Sequence, residues 1–194
     1  AVHPQLGVCA WSLQPQSPSE LKDTVTALGV SQIQLHLDPL RIVEWSVQAF
    51  RDAFEHADIS VASGMMTTQD EDYSTLESIR RTGGVTPDST WAANMRAAEA
   101  NALLAEQMGI RLVSMHAGHL PDDLATPQGC VIIERLERLA SIFAGRGVTL
   151  ALETGQETAS TLMRYLKRLP SVRVNFDPAN MLLYNMGDPL EAFA

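Results

Sequence analysis

The sequence predicts an α/β fold in which short parallel strands alternate with helices. Six short apolar runs alternate with five segments whose apolar residues recur at helical spacing, and a sixth helix begins near the end. Such strict alternation is typical of a parallel sheet covered by helices. In residues 148–180, two of the runs end at Glu153 and Asp177 and flank a helical interval. Both carboxylates should therefore lie at the carboxyl end of the sheet, where α/β proteins bind ligands.

The predicted strands are short apolar runs bounded by turn-forming residues. They comprise residues 7–11, 31–37, 59–65, 110–116, 148–152 and 172–176. In the second run, Ile33, Leu35 and Leu37 alternate with polar residues, so one face of that strand should be polar. The first strand is expected to end at Trp11.

The helices are predicted from apolar stripes and from residues that cap or end a helix. They are expected over residues 18–28, 43–56, 88–108, 128–144 and 158–169, with a short helix at 74–80 and another beginning at 188–189. Gly29 and Gly109 are placed to end two of them. Val43 and Val131 are assigned to the inward-facing stripes of their helices. The polar, glycine-rich stretch 67–88 suggests a loop folded over a site.

Length and composition predict one domain over residues 1–194, because 45% of the residues are hydrophobic and can form one sizeable core. No apolar run has the length of a membrane span. The formal charge of -9 disfavours a nucleic-acid partner and is compatible with a small metabolite or a cation. Cys9 and Cys130 lack metal-type spacing and are expected to be reduced and buried.

No signal peptide is visible, which favours a cytoplasmic location. The sequence begins with Ala1 rather than Met, so a processed exported form stays open. The motifs of dinucleotide-binding proteins, P-loop proteins and serine hydrolases do not occur.

Glu153 and Asp177 are the strongest candidates for chemistry. Carboxylate oxygens are the ligands that hard divalent cations prefer, and strand ends can bring two of them to one point. Each residue alone could instead cap the next helix or pair with a surface base. Their shared position at one end of the sheet favours a ligand role for the pair.

The histidines at strand ends are the next candidates. His116 can bind metal, hold a substrate oxygen or move protons, or it can simply bond to the backbone. The backbone role is favoured for His119. His36 ends the second strand on its polar face. It could contact substrate, or it could form its hydrogen bonds inside the barrel, and the sequence favours neither alternative.

Four further residues lie near the predicted strand ends or on the neighbouring helices. Asn180 could contact substrate or cap a helix, and capping is the commoner use. Trp11 could form an apolar wall for a sugar ring, although core packing is commoner for a strand-end tryptophan. Glu157 and Glu99 lie on or near helices and are expected to be solvated.

Alternation alone leaves two architectures open. One is an open doubly wound sheet, and the other is part of an eight-stranded barrel, which needs about 250 residues and therefore roughly two more strand–helix units than this sequence has.

The segments SQIQLHL, VSMHAGHLP, ALETGQE and NFDPANMLLYNMGDP, in this order, resemble the xylose-isomerase-like TIM barrels, the sugar phosphate isomerase/epimerase group. The resemblance implies a (β/α)8 barrel that is incomplete, with about six strands present. It also implies one divalent ion, Mn²⁺, Mg²⁺, Co²⁺ or Zn²⁺, bound by a Glu, an Asp, a His and a second Glu. Glu153 and Asp177 match the first two, His116 matches a strand-four histidine beside the substrate, and the last two ligands have no counterpart here.

The resemblance implies an isomerase or epimerase of a sugar or sugar phosphate that moves a proton through a metal-stabilised enediolate. Glu153 would be both a ligand and the catalytic proton carrier, and His116, His36, Asn180 and Trp11 would contact a small carbohydrate. No membrane partner is implied, and unpaired strand edges leave room for a homo-oligomer. The alternatives are an endonuclease IV-like DNA repair enzyme, which the acidic charge opposes, and a non-catalytic metal- or sugar-binding relative.

Overall fold

A computed structural model describes residues 6–193, and these residues form one six-stranded parallel sheet. The strands follow one another in chain order across the sheet, so each strand pairs with its sequence neighbours. They are β1 (Gly7–Cys9), β2 (Gln32–His36), β3 (Ser60–Met65), β4 (Leu112–His116), β5 (Thr149–Glu153) and β6 (Arg173–Asn175). All five pairings are parallel. The predicted alternation of strands and helices is therefore confirmed.

Helices fill the connections between the strands. Those before β4 are α1 (Ala10–Leu13), α2 (Pro18–Leu28), α3 (Asp38–Arg41), α4 (Val47–Phe54), α5 (Leu76–Thr82) and α6 (Asp88–Met108). Those after β4 are α7 (Pro127–Ala144), α8 (Ala159–Arg168), α9 (Pro178–Leu183) and α10 (Pro189–Phe193). In the part of the chain that the structure describes, no helix combines the length and the apolar character needed to cross a bilayer.

The sheet is open, because β1 and β6 stand at its two edges without pairing to each other. The order β1 to β6 is that of an incomplete (β/α)8 barrel, in which neighbours along the chain are neighbours in the sheet. A doubly wound sheet would instead reverse its strand order at a switch point. The structure therefore decides for the barrel type.

The core lies between the strands and their covering helices. Val113, Met115, Leu150 and Leu152 on the central strands are essentially inaccessible to solvent. Phe143 of α7 is equally buried and belongs to the same apolar cluster. Burying both faces of the central strands keeps their carboxyl ends in fixed positions relative to each other.

Local signals in the sequence explain several helix ends. Ser17 caps α2 by accepting a hydrogen bond from the backbone N–H of Glu20, and Gly29 ends this helix in the left-handed conformation. Gly109 ends α6 in the same way. Both glycines act as predicted, because glycine adopts a positive φ without steric cost.

Three predictions about these elements were wrong. The first strand stops at Cys9, and Trp11 belongs to the short helix α1, because only three residues of β1 pair with β2. The helix expected from residue 43 begins at Val47, because Val43 has a φ of 64° and its side chain is exposed. Val131 is also exposed, since the buried stripe of α7 runs through its neighbour Ile132.

The two thiols are less buried than the sequence suggested. Both cysteines are free, but Cys9 is only half-buried and Cys130 is exposed on α7. Cys130 lies in the first turns of that helix, on a face directed away from the core. The expectation of buried thiols was therefore wrong for Cys130.

A close backbone contact joins the segment before α6 to the loop after β4. The N–H of Val85 donates to the carbonyl of Ala117 at 3.0 Å. A Cβ atom added to Gly84 would lie 2.1 Å from that carbonyl group, and one added to Gly118 would lie 2.3 Å from the carbonyl oxygen of Gly83. Glycine is required at both positions, since each has a positive φ as well as no room for a side chain.

We expect Gly84→Ala to destabilise the protein more than Gly29→Ala. Both glycines have a φ of +69°, but nothing lies within 4 Å of a Cβ at Gly29. Gly29→Ala, the control, should therefore lower the free energy of unfolding by about 1–2 kcal/mol, the cost of placing an alanine in the left-handed conformation. Gly84→Ala adds a backbone clash and should cost roughly 2 kcal/mol more in the free energy of unfolding, measured by urea denaturation. Equal losses in the two variants would contradict this close contact.

Candidate functional site

A cavity of about 610 Å³ opens at the carboxyl ends of the strands. Its lining includes His116, Glu153 and Asp177, which end or follow β4, β5 and β6. A larger groove of about 930 Å³ lies on the outer side of the fold, lined from α7 and α8 among others, and includes none of these residues. The cavity at the strand ends is thus the one that contains the predicted carboxylates.

Strand register places the polar side chains of the cavity side by side. In the parallel ladder, His116 is the partner of Glu153, and Glu153 is the partner of Asn175. Since all three strands run in one direction, their last residues point their side chains toward the same edge region. The position of Glu153 is therefore set by hydrogen bonding in the sheet.

The Glu153 carboxylate has three polar neighbours. Its Oε1 accepts a hydrogen bond from Nδ2 of Asn180 at 3.2 Å and lies 3.5 Å from Nε2 of His116. Its Oε2 accepts from Nδ2 of Asn175 at 3.2 Å. The side chain is 11% exposed, so these groups hold the carboxylate in one orientation at the cavity wall.

The pKa of Glu153 is raised above the ordinary value of a glutamic acid. Burial is the main cause, since it disfavours the charged form. The nearby charge of Asp177 and a hydrogen bond with its side chain raise the pKa further, whereas the charge of His116 and the amide of Asn175 lower it. Glu153 is therefore a carboxylate that holds a proton more readily than a solvated one.

Asp177 both caps a helix and lines the cavity. Its Oδ1 accepts from the backbone N–H groups of Ala179 at 2.8 Å and Asn180 at 3.1 Å, at the start of α9. Its own backbone is tied to Thr154, whose Oγ1 accepts from the Asp177 N–H at 2.7 Å and donates to the Asp177 carbonyl at 2.9 Å. Asp177 therefore caps a helix, which was one of the alternatives expected from the sequence, and it also lines the cavity.

Asn180 does not cap a helix. It lies within α9, which Asp177 caps, and its amide reaches both Oε1 of Glu153 and, at 3.5 Å, Nε2 of His116. The helix start after β6 thus directs Asn180 back into the cavity. Its predicted contact with substrate remains a prediction.

Trp11 lines the cavity, but His36 does not. The two rings contact each other, with centroids 4.6 Å apart, and His36 lies beside a smaller hollow of about 200 Å³ that Trp11 also lines. Nε2 of His36 is 3.3 Å from Oδ2 of Asp38. The structure therefore separates His36 from Glu153 while keeping Trp11 between the two hollows.

Asp38 is a buried carboxylate that holds this region together. It accepts hydrogen bonds from Nε of Arg41, the backbone N–H of Thr67 and Nδ2 of Asn101. Burial by itself would raise the pKa of Asp38, but the hydrogen bonds from His36 and Thr67 and the Arg41 charge hold it well below its usual range. The network fixes His36 through its carboxylate partner.

Asn175 and Tyr73 are among the cavity residues that were not found from the sequence. Asn175 lies two residues before Asp177, so the period of two in a strand could have placed both on one face. Tyr73 comes from the stretch 67–88 that was expected to fold over a site, and its hydroxyl donates to Oε2 of Glu71 at 3.2 Å. No local signal distinguishes Tyr73 from its neighbours.

Glu157 was expected to be solvated, and this was wrong. It is only 6% exposed, and its Oε1 accepts from the backbone N–H of Gly155 at 3.3 Å. Burial raises the pKa of Glu157 to about 7, although neighbouring backbone N–H groups oppose the shift. The turn after β5 folds the side chain inward, which helical spacing could not predict. Glu99 is exposed, as expected.

A family profile described as "Xylose isomerase-like TIM barrel" matches residues 22–194. The search of curated proteins found no match.

Three solved structures illustrate the similarity. The xylose isomerase domain protein from Planctomyces limnophilus is 30% identical, with a TM-score of 0.81 over 88% of this chain and 61% of its own. A xylose isomerase-like TIM-barrel protein from Mycobacterium smegmatis in complex with magnesium is 15% identical, with a TM-score of 0.73 over 97% and 70%. D-psicose 3-epimerase in the presence of D-fructose is 14% identical, with a TM-score of 0.68 over 93% and 66%.

The chain thus spans less than two thirds of the Planctomyces protein that it matches. The likeness to the magnesium complex and to D-psicose 3-epimerase concerns the fold. Sugar 3-epimerases recur among the matched structures.

We expect Asp177→Asn to lower the pKa of Glu153 part of the way toward its ordinary value. The substitution removes the like charge, while burial, the main cause, remains. Asparagine still caps a helix, so α9 should persist. Carboxyl-carbon NMR titration of the metal-free protein measures the change, with the exposed Glu99 as an internal reference. A pKa of Glu153 that does not move would show that the two carboxylates do not interact.

We expect stability to fall as the pH rises from about 4.5 to about 7, because folded Glu157 holds a proton over this range and the unfolded residue does not. The folded state then binds more protons, so its free energy of unfolding decreases with pH. Glu157→Gln should remove this contribution to the slope, measured by urea unfolding at several pH values. Glu99→Gln, at an exposed position of α6, provides the comparison. An unaltered slope in Glu157→Gln would contradict the assignment.

Proposed function

The chain belongs to the xylose isomerase-like TIM-barrel family, and on this premise we propose that it acts in divalent-metal-dependent isomerisation or epimerisation of a small sugar or sugar phosphate. One observation carries the proposal: the Glu153 carboxylate faces a cavity beside Asp177, with a raised pKa and fixed polar partners. Sugar epimerases among the matched structures support the general class of reaction.

Glu153 and Asp177 would hold the divalent ion. Burial and proximity place two like charges beside one cavity, and a cation would relieve their repulsion. In residues 6–193 no group of three or more His, Cys, Asp or Glu side chains has the arrangement of a metal site. Among the described residues, two carboxylates would therefore bind the ion. The other ligands would be water, substrate or groups outside this part of the chain.

When bound, the ion would polarise a substrate carbonyl and stabilise the negative charge that develops on its oxygen. Glu153 would remove a proton from the carbon next to that carbonyl and return it. A general base must be held within hydrogen-bond reach of the proton that it removes, and the Glu153 carboxylate is fixed at the cavity wall by its amide partners.

The neighbours of Glu153 would keep its oxygens available and oriented. Asn175 fixes Oε2, whereas Asn180 and His116 contact Oε1. Neutral amides hold a carboxylate by donating to it and do not pair with it as a cation would, so they restrain its position at a smaller cost in basicity. His116 would also donate to a substrate oxygen.

The cavity walls suit a carbohydrate. Trp11 and Phe176 provide apolar surface, and Gln34 and Asn180 provide amide groups. Sugars present both C–H faces and hydroxyl groups, so a site with aromatic and amide walls can contact both. A cavity of about 610 Å³ is large enough for a monosaccharide.

A DNA repair function receives less support. The net charge of -9 opposes binding to a phosphate backbone.

We expect Glu153→Gln to slow exchange of a substrate C–H proton with solvent by at least roughly a hundredfold, because glutamine cannot accept the proton. The assay follows free and phosphorylated ketohexoses in D₂O by proton NMR, with Mg²⁺ or Mn²⁺ added. Exchange needs only one group that removes and returns a proton, so it is preferable to net epimerisation as a readout.

Glu99→Gln, on the exposed face of α6, provides the matched control and should exchange protons like the parent protein. Removal of the ion with EDTA should abolish exchange, and added metal should restore it. Exchange that persists in Glu153→Gln would overturn the proposal, and metal binding without any exchange would point to a non-catalytic relative.

A further inference from the structure

A further hollow, of about 240 Å³, is lined from α5, from the turns after β4 and β5 and from the chain after α9. Gln156 lines it and comes three residues after Glu153. Tyr184 also lines it and is close enough to Glu153 for that charge to contribute to a raised pKa of the Tyr184 phenol, which burial mainly causes. A ligand that extends from the cavity beside Glu153 could therefore reach this hollow.

The hollow is lined by an arginine that has no carboxylate partner among the described residues. Arg80, in the last turn of α5, lines the hollow, and within residues 6–193 it forms no ion pair. Its Nη2 lies 3.2 Å from Nε2 of His119 instead. Arg80 thus keeps most of its N–H donors available.

His119 holds Arg80 without neutralising it. Burial mainly lowers the pKa of His119, and the Arg80 charge lowers it further, while a hydrogen bond with the Gln156 backbone opposes the shift. The neutral ring offers a lone pair at Nε2, to which the guanidinium donates. An anion arriving here would meet an arginine that is already positioned.

The backbone contact described above fixes this pair of side chains. Gly83 and Gly84 follow α5, and they pack directly on Ala117 and Gly118 in the loop that leads to His119. Because no side chain fits between the two segments, Arg80 and His119 are brought together by the fold itself.

Two other residues modify the hollow. The hydroxyl of Tyr184 makes no hydrogen bond to another residue in the range 6–193, so it is a free donor. Glu77 also lines the hollow and would repel an anion, but it does not pair with Arg80 in the described chain. Glu77 is the only carboxylate among the lining residues in the described chain, although the charges of Glu71 and Glu153 also act on Tyr184 and that of Asp122 acts on His119.

We propose that this hollow binds the phosphate group of a phosphorylated sugar whose reacting end lies beside Glu153. A guanidinium offers several N–H donors in a planar fork that matches phosphate oxygens, and a phenol adds one more. A chain with a net charge of -9 repels a sugar phosphate in general, so an unpaired cation at the point of binding is needed to offset the repulsion. This inference rests on the proposed function for the orientation of the sugar.

The test compares binding of inorganic phosphate, D-fructose 6-phosphate and D-fructose by isothermal titration calorimetry, with the full chain and the same added Mg²⁺. D-fructose 6-phosphate should bind at least about tenfold more tightly than D-fructose, the effect expected for one charge-assisted hydrogen bond. Arg80→Gln should remove this difference and weaken inorganic phosphate to a similar extent. Glu77→Gln should tighten both anions.

Arg81→Gln is the matched control, because Arg81 is adjacent, exposed and outside the hollow. It should keep the preference for the phosphorylated sugar. Equal affinity for the two sugars, or phosphate binding that survives Arg80→Gln, would overturn the inference. Acetate that competes as well as phosphate would assign the hollow to a carboxylate and would overturn it as well.

These outcomes are separable from those of the proposed function. Phosphate binding that depends on Arg80, found without any C–H exchange, would leave the anion site standing and remove the epimerase. Exchange that depends on Glu153, with no preference for the phosphorylated sugar, would support the epimerase and rule out the anion site.

Discussion

The parallel register of β4, β5 and β6 is the constraint on which the rest of the site depends. It makes His116 and Asn175 the two ladder neighbours of Glu153, so a carboxylate is held between an imidazole and an amide. No loop has to fold for this arrangement to form, because hydrogen bonds along the sheet and the buried strands beneath it determine the spacing. The chemistry proposed for Glu153 follows from its position at the end of a strand.

The free-energy cost of burying charged groups is concentrated around Glu153 as well. Burial and the charge of Asp177 both disfavour ionised Glu153, while the N-terminus of α9 stabilises Asp177 through two backbone N–H groups. One carboxylate thus accepts hydrogen bonds from a helix end, and its neighbour is made readier to hold a proton. A pair of carboxylates with divided roles is what a cation-assisted proton transfer requires.

Connections between strands define the surroundings of these carboxylates. The segment between β3 and α6 contributes Tyr73 to the cavity and Arg80 to the neighbouring hollow, and it is anchored where Gly84 packs on Ala117. Asp38 performs a similar task beside Trp11, since it joins the ends of β2 and β3 to α6. Loops of this kind can vary what a barrel recognises while the strand-end groups stay in place.

The sequence alone determined the order of the elements, most of their bounds and the position of Glu153 and Asp177 at one end of the sheet, because strand periodicity, caps such as Ser17 and stops such as Gly29 act over a few residues. It could not reveal that Glu157 is buried, that Val43 takes a left-handed conformation, or that Asn180 turns back to Glu153. It also could not bring Arg80 to His119, which are 39 residues apart along the chain. Only the tertiary structure decided these points, because each depends on packing between segments distant in sequence, and local patterns contain no information about such contacts.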